Sequence, residues 1–196
     1  MGIFVGGRGL RMGGAAKGLL VAEDGAPLLT RLRAACETLA LPVVIVGPAA
    51  SRAPYAALAD GLAGVDDDPR AEGPLAGLLA LLTWAEASAT RRVIALACDM
   101  PYVDAAALAE LVAAPEAPAV AARRDGHWEP FFARYDVARV LPAALEAAAA
   151  RRLGLQRLLD DVGATPLALT NPRALEDWDT PADLPRGPGR GHDGER

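Results

Sequence analysis

Residues 1–20 read MGIFVGGRGLRMGGAAKGLL. A short apolar run, Ile3 to Val5, ends in Gly6-Gly7. A basic, glycine-rich stretch with Arg8, Gly9, Arg11, Gly13 and Gly14 follows, and then Lys17. This order describes a strand feeding a loop dense in cations and bare backbone. Glycine lets amide N–H groups approach a ligand closely, and successive amides form an anion-binding concavity. The segment therefore predicts an α/β fold whose first strand and following loop build a polyphosphate site. Two commoner phosphate motifs are excluded. In a G-x-G-x-x-G fingerprint read from Gly7, the third glycine position holds Met12; a Walker A loop needs Gly before its Lys and Ser/Thr after it, whereas Ala16 and Gly18 flank Lys17. A plain glycine-rich turn with solvated arginines accounts poorly for three cations converging on one loop after a strand.

The rest of the chain continues the α/β theme. Its 196 residues suggest one domain, expected over 1–185, with a disordered Gly/Arg tail at 186–196. Strands are expected at Gly2–Val5, Val43–Val46, near Val65 and at Arg92–Ala97, with two more near Ala119–Ala122 and Phe131–Tyr135. Helical patterns fall at Pro27–Leu39, Ala53–Leu62, Pro74–Ala87, Ala105–Ala113 and Val137–Ala150, with a shorter one at Leu153–Asp161. Strands alternating with helices predict a mostly parallel sheet with right-handed crossovers. The unbroken apolar run Val93–Ala97 predicts a central strand covered on both faces.

Composition narrows the function. A net charge of −5 argues against a nucleic-acid-binding surface, so the basic N-terminal loop suits a small anionic ligand. The two cysteines, Cys36 and Cys98, form neither a zinc pattern nor a disulfide framework; both are expected to be reduced and buried in a cytoplasmic protein. No apolar run approaches a membrane span, and no signal peptide is expected.

In an open parallel sheet, ligands bind at the carboxyl ends of the strands. Lys17 is placed to contact phosphates as a point charge, with Arg11 adding to it. Asp99 ends the strand pattern Val93–Ala97, just before Pro101. A hard carboxylate there suits Mg²⁺, although an aspartate at a strand end is ordinarily a turn or cap residue. Asp66-Asp67-Asp68 reads on its own as a solvated acidic loop. It lies one turn before Gly73-Pro74-Leu75-Ala76-Gly77, where Pro74 is a favoured first helical residue. Asp177-Trp178-Asp179-Thr180-Pro181 reads as a cap before a short helix. Arg123, Arg124, His127, Trp128, Arg151 and Arg152 are candidates for a second substrate, Trp128 by stacking on a flat ring. No Ser/His/Asp or Cys/His constellation stands out.

Taken together, Gly6, Gly7, Arg11, Met12, Gly13, Gly14 and Lys17 resemble the G-G-x-x-x-R-M-G-x-x-x-K signature of nucleotidyltransferases, in particular the molybdenum cofactor guanylyltransferase (MobA) family. The resemblance extends through G-P-L-x-G and C-D-x-P-Y to about residue 184. It implies a single Rossmann-like three-layer domain of the nucleotide-diphospho-sugar transferase type. It implies transfer of GMP from GTP to molybdenum-bound molybdopterin, with diphosphate leaving. The implied catalytic residues are Lys17, Arg11 and Asp99. Nucleotide contacts would come from Phe4, Val5, Gly6, Gly7, Lys17, Asp67, Gly73, Pro74, Leu75 and Asp99, with Asp66 the alternate for Asp67. Asp99 and Asp179 would hold Mg²⁺, and recipient molybdoenzymes or other cofactor-biosynthesis proteins would be partners. The chain departs from the family at Ala16, where Asp is usual, and at Asp177 and Asp179, where the family often has Asn. The alternatives are a cytidylyltransferase on the same cofactor, another small-molecule nucleotidyltransferase such as a sugar-1-phosphate enzyme, and a non-catalytic binder of nucleotide or cofactor.

Overall fold

A computed structural model describes residues 1–6 and 16–184. The expectations at Gly7, Arg8, Gly9, Arg11, Met12, Gly13 and Gly14, and those for the C-terminal tail, lie outside the described residues. Seven strands form one sheet: β1 (Gly2–Phe4), β2 (Val44–Val46), β3 (Ala63–Val65), β4 (Arg92–Ala97), β5 (Ala119–Arg124), β6 (His127–Asp136) and β7 (Thr165–Leu167). Their order across the sheet is β3-β2-β1-β4-β6-β5-β7. The β3-β2-β1-β4 half is parallel throughout. β6 runs antiparallel to both β4 and β5, and β7 is parallel to β5.

Helices cover both faces: α1 (Leu28–Thr38), α2 (Ala49–Arg52), α3 (Pro74–Ala87), α4 (Ala105–Ala113), α5 (Val137–Ala149) and α6 (Leu155–Asp161). Strand alternation feeds two cores. Phe4, Val93 and Ala95 pack with α3, α5 and α6, while Ile3, Val5, Ile94 and Leu96 pack with α1 and α4. β4 is thus apolar on both sides, as its unbroken run predicts. Local chemistry sets several boundaries. Pro74 opens α3, and the Asp104 and Asp136 side chains accept N–H bonds at the starts of α4 and α5. Arg134 on β6 donates to the carbonyls of Leu111, Val112 and Pro115 at 3.1, 2.7 and 2.6 Å, satisfying groups left bare where α4 ends.

Three expectations need correction. The helix expected over Ala53–Leu62 is instead the four-residue α2 followed by a 3₁₀ turn at Ala53–Tyr55. Pro54 lacks the N–H a continuing helix needs, and Tyr55 is drawn into the core. β7, unforeseen, carries Pro166 at the sheet edge, where a strand tolerates proline. β6 begins four residues earlier than expected, because Asp125 and Gly126, at φ +51° and +80°, close a hairpin to β5. In that hairpin Ala121 pairs with Ala133, but Arg123 pairs with Trp128. Residues 129–132 bulge, held from within by Tyr135 Oη donating to the Pro130 carbonyl at 2.7 Å.

Candidate active site

The strand order reverses direction around β1, with β2 to one side and β4 to the other. Ligands bind open α/β sheets outside the strand ends at such a switch point. The chain leaving β1 reaches Lys17, and the chain leaving β4 reaches Asp99. Pairing continues past both strands: the Val5 amide donates to Val46 O at 2.9 Å, and the Cys98 amide donates to Phe4 O at 3.1 Å. Asp99 therefore stands on a rigid sheet edge.

Lys17 opens a 3₁₀ turn, Lys17–Leu19. Gly18 seats that turn. Its amide donates to Tyr55 Oη at 3.2 Å, and a Cβ there would lie 2.9 Å from the Tyr55 ring and 3.3 Å from Cys98 Cβ. No larger residue fits beneath Lys17. Neither Gly18 nor Tyr55 carries a sequence signal for this role, since only the tertiary fold brings Tyr55 under the loop.

A third segment closes over this edge. The Trp178 amide donates to Asp99 O at 3.0 Å, and Trp178 itself is buried. The Asp183 carboxylate accepts from the Asp179 amide at 3.1 Å and from the Thr180 amide and hydroxyl at 2.7 and 2.9 Å. This cap holds Asp179 beside Asp99. Lys17 Nζ spans the two carboxylates, 2.7 Å from Asp99 Oδ2 and also bonded to Asp179 Oδ1. Burial works against the Lys17 charge, but the hydrogen bonds to Asp179 and Asp99 outweigh it and hold the pKa above the ordinary lysine range. Side-chain exposure is 16 % for Asp99 and 45 % for Asp179, so the pair opens to solvent on the Asp179 side.

The acidic triplet divides its work. Asp66 pairs with Arg52 at 2.7 Å. Buried Asp68 takes a two-pronged bond from Arg70 at 2.9 and 2.7 Å. Asp67 makes neither pairing; it lies over Gly77 of α3, where a Cβ would sit 3.3 Å from its Oδ1 and 2.9 Å from the Phe4 ring. Burial, with Asp66's charge behind it, pushes the Asp67 carboxyl up. Gly73 precedes α3 at φ +61°, ψ −147°, a backbone open to glycine alone. Phe4 and Val5 are buried in opposite cores, so these two positions offer a ligand their backbone rather than their side chains. Leu75 is fully buried.

The second-substrate candidates are largely committed elsewhere. Trp128 is buried, its Nε1 donates to Asp160 at 2.7 Å, and Arg123 covers its ring at 3.9 Å. The expected stacking surface is therefore not available: the hairpin turns the indole inward. Arg124 is held by Glu129 at 2.8 Å, by both oxygens of Asp177 at 3.2 Å, and by Leu175 O at 2.6 Å. Asp177 is thus committed to Arg124, whereas Asp179 shares Lys17 with Asp99. Arg151 and Arg152 pair with Glu72 and Glu146, and His127 is exposed. A hollow of about 210 Å³ is lined by Tyr102, Arg124, Glu176, Asp177, Trp178 and Asp183. Among the described residues, no group of three or more His, Cys, Asp or Glu gathers around a metal-sized point. Cys36 and Cys98 are both free and buried, and no described helix is long and apolar enough to cross a membrane.

The strand ends bring an ammonium and two carboxylates to one switch point. Comparison with known proteins identifies the class, a nucleotidyltransferase of the nucleotide-diphospho-sugar transferase fold. The family model for the MobA-like NTP transferase domain matches residues 2–162. A molybdenum cofactor guanylyltransferase from a Pseudomonas putida strain is 40 % identical over 159 residues, covering 80 % of each chain. One from Pseudomonas entomophila is 34 % identical over 185 residues, covering 91 % of this chain and 92 % of its own. In fold, the chain matches molybdopterin-guanine dinucleotide biosynthesis protein A from Archaeoglobus fulgidus with a TM-score of 0.72 at 19 % identity, over 93 % of both chains. It also matches the 4-diphosphocytidyl-2C-methyl-D-erythritol synthase of Anaerococcus prevotii, with a TM-score of 0.64 at 11 % identity over 93 % and 92 %. The chain belongs to the MobA-like NTP transferase family.

Proposed function

We propose that this protein transfers GMP from GTP to the terminal phosphate of molybdenum-bound molybdopterin. An oxygen of that phosphate forms a bond to the α-phosphorus of GTP, the α–β bridging P–O bond breaks, and diphosphate departs. The observation that carries this reading is the meeting of Lys17, Asp99 and Asp179 at the ends of β1 and β4, in a chain 34–40 % identical to guanylyltransferases of the molybdenum cofactor.

The attacking phosphate is already an anionic nucleophile, so no side chain has to act as base. What the reaction requires is alignment and charge neutralisation. Lys17 supplies a cation to the nucleotide phosphates, with Arg11 as the second cation of the sequence motif. Gly6 and Gly7 of that motif permit close backbone approach. Asp67 and the start of α3 at Gly73, Pro74 and Leu75 contact the nucleoside end, with Phe4 and Val5 contributing backbone. Asp99 and Asp179 share one ammonium and therefore lie within reach of a single cation; as hard oxygen donors they fit Mg²⁺. When bound there, Mg²⁺ would neutralise and orient phosphate oxygens. The substrates GTP and a molybdopterin-type cofactor, recipient molybdoenzymes as partners, and a cytoplasmic location complete the proposal.

The test is diphosphate release with Mg²⁺ and molybdenum-loaded molybdopterin, comparing GTP, CTP, ATP and UTP. Release with GTP alone is expected. Release with CTP instead would keep the mechanism and change the product. An Asp99→Ala variant should lose transfer and retain nucleotide binding; unchanged turnover would refute the role of Asp99.

A further inference from the structure

Of the twenty Lys and Arg residues in this chain, nineteen are Arg; Lys17 is its single lysine. That one ammonium stands between the two carboxylates at the switch point, bonded to both. Elsewhere, fixed carboxylates are gripped by guanidinium groups: Asp68 by Arg70, and Asp177 by Arg124, each through two prongs. The chemistry of the two cations differs. Guanidinium is a planar fork that locks onto a carboxylate, whereas ammonium is a compact point charge on a flexible stem, free to exchange partners without matching a plane. Lys17 is also partly exposed.

We infer that Lys17 is a displaceable counter-ion: it neutralises Asp99 and Asp179 until substrates arrive, then passes to the nucleotide phosphates as a divalent cation takes over the carboxylates. The inference rests on the proposed nucleotidyl transfer and adds an order to it. The ammonium and the metal compete for the same two carboxylates. A polyphosphate offers the ammonium another anion and so removes the competitor. Metal and nucleotide therefore bind as a coupled pair, each tightening the other by the same factor. Asp179 is central to this coupling. Its second charge holds the ammonium in place, where a neutral amide at this position could still accept a hydrogen bond but would leave Asp99 the only anion bonded to Lys17.

The first measurement uses Mn²⁺ as probe, followed by electron paramagnetic resonance of the free ion, with no nucleotide present. Lys17→Met keeps the unbranched stem and removes the charge. This variant should bind Mn²⁺ on the order of tenfold more tightly than the natural protein, because a like charge a few Å from the cation has gone. Added GTP should tighten Mn²⁺ binding strongly in the natural protein and less in Lys17→Met. Equal Mn²⁺ affinity of the two proteins without nucleotide would overturn the inference. It would do so whether or not GTP is the true substrate, so the two readings fail separately. A second measurement needs no variant. Lysine labelled with ¹⁵N at Nζ gives one ammonium signal from this chain, requiring no assignment. Millimolar Mg²⁺ alone should leave that signal in place, and Mg²⁺ with GTP should move it. A signal that stays fixed while GTP and Mg²⁺ demonstrably bind would also overturn the inference.

Discussion

Gly77→Ala sets two opposed and calculable effects against each other. Alanine in place of glycine inside α3 favours the helix by about 1 kcal/mol. The new methyl group, however, would lie 2.9 Å from Phe4 Cε1 and 3.3 Å from Asp67 Oδ1. Phe4 cannot swing away freely, since it is buried and packed against Phe131 with ring centroids 4.6 Å apart. Overpacking of this kind costs about 1–3 kcal/mol. The net loss is then about 0–2 kcal/mol, a fall in Tm of less than about 8 °C for a domain of this size. Asp67 takes the remaining displacement. If it contacts the nucleotide, losing a charge-assisted hydrogen bond worth about 1.5–3 kcal/mol raises the KM for GTP roughly tenfold or more. Differential scanning calorimetry and steady-state diphosphate release read the two effects separately. Asp67→Asn, which adds no heavy atoms, should reproduce the KM change with little change in Tm. A well-folded Gly77→Ala with unaltered KM would refute the reasoning, because the carboxylate over that glycine would then have no part in nucleotide binding.

Two further perturbations test the frame around the site. Arg134→Met strips three carbonyls near the end of α4 of their donor; the expected destabilisation is about 2–4 kcal/mol, read as a lower urea midpoint, and a change below about 0.5 kcal/mol would contradict the capping role. Asp68 is held below the usual carboxylate range by its hydrogen bonds from Arg70. A depressed folded-state pKa stabilises the protein above the unfolded aspartate value of about 3.9, and that stabilisation disappears as pH falls through the folded value. Natural protein and Arg70→Ala should therefore differ in urea stability at pH 7, and the gap should close as the pH is lowered through that range; a gap that persists or widens in acid would contradict the assignment.

The parts of the fold that were legible in the sequence are those whose signals are local. Arg92–Ala97 contains the unbroken apolar run Val93–Ala97. Pro74–Ala87 has a proline at its first turn, and Ala105–Ala113 follows a capping aspartate; all three occur with those bounds. Alanine richness misled at Ala53–Leu62, because alanine favours helix wherever it occurs while Pro54 and the pull of Tyr55 into the core act against it. β7 is three residues with a proline and depends entirely on β5 for its pairing. At the site, strand ends and their charges could be read from sequence, which is why Lys17 and Asp99 were both singled out. The convergence of Asp179 on the same ammonium depends on a backbone bond from Trp178 to Asp99, nearly eighty residues away. The inward turn of Trp128 likewise depends on Asp160 and on Gln156, which exchanges two hydrogen bonds with the Trp128 backbone. No local pattern encodes either contact.

The position of β1 has a kinetic consequence. It is a three-residue strand in the middle of the sheet, and its two neighbours arrive more than forty and more than ninety residues later in the chain. Closing loops of that length costs chain entropy before any pairing returns it, so β1 has no neighbour until β2 is made and is not flanked on both sides until β4 is made. The Asp179 segment, which docks on Asp99, lies later still in the chain. The chemical centre is therefore incomplete until residue 179 has been made, and a nascent chain ending before it holds Lys17 and Asp99 without their third partner.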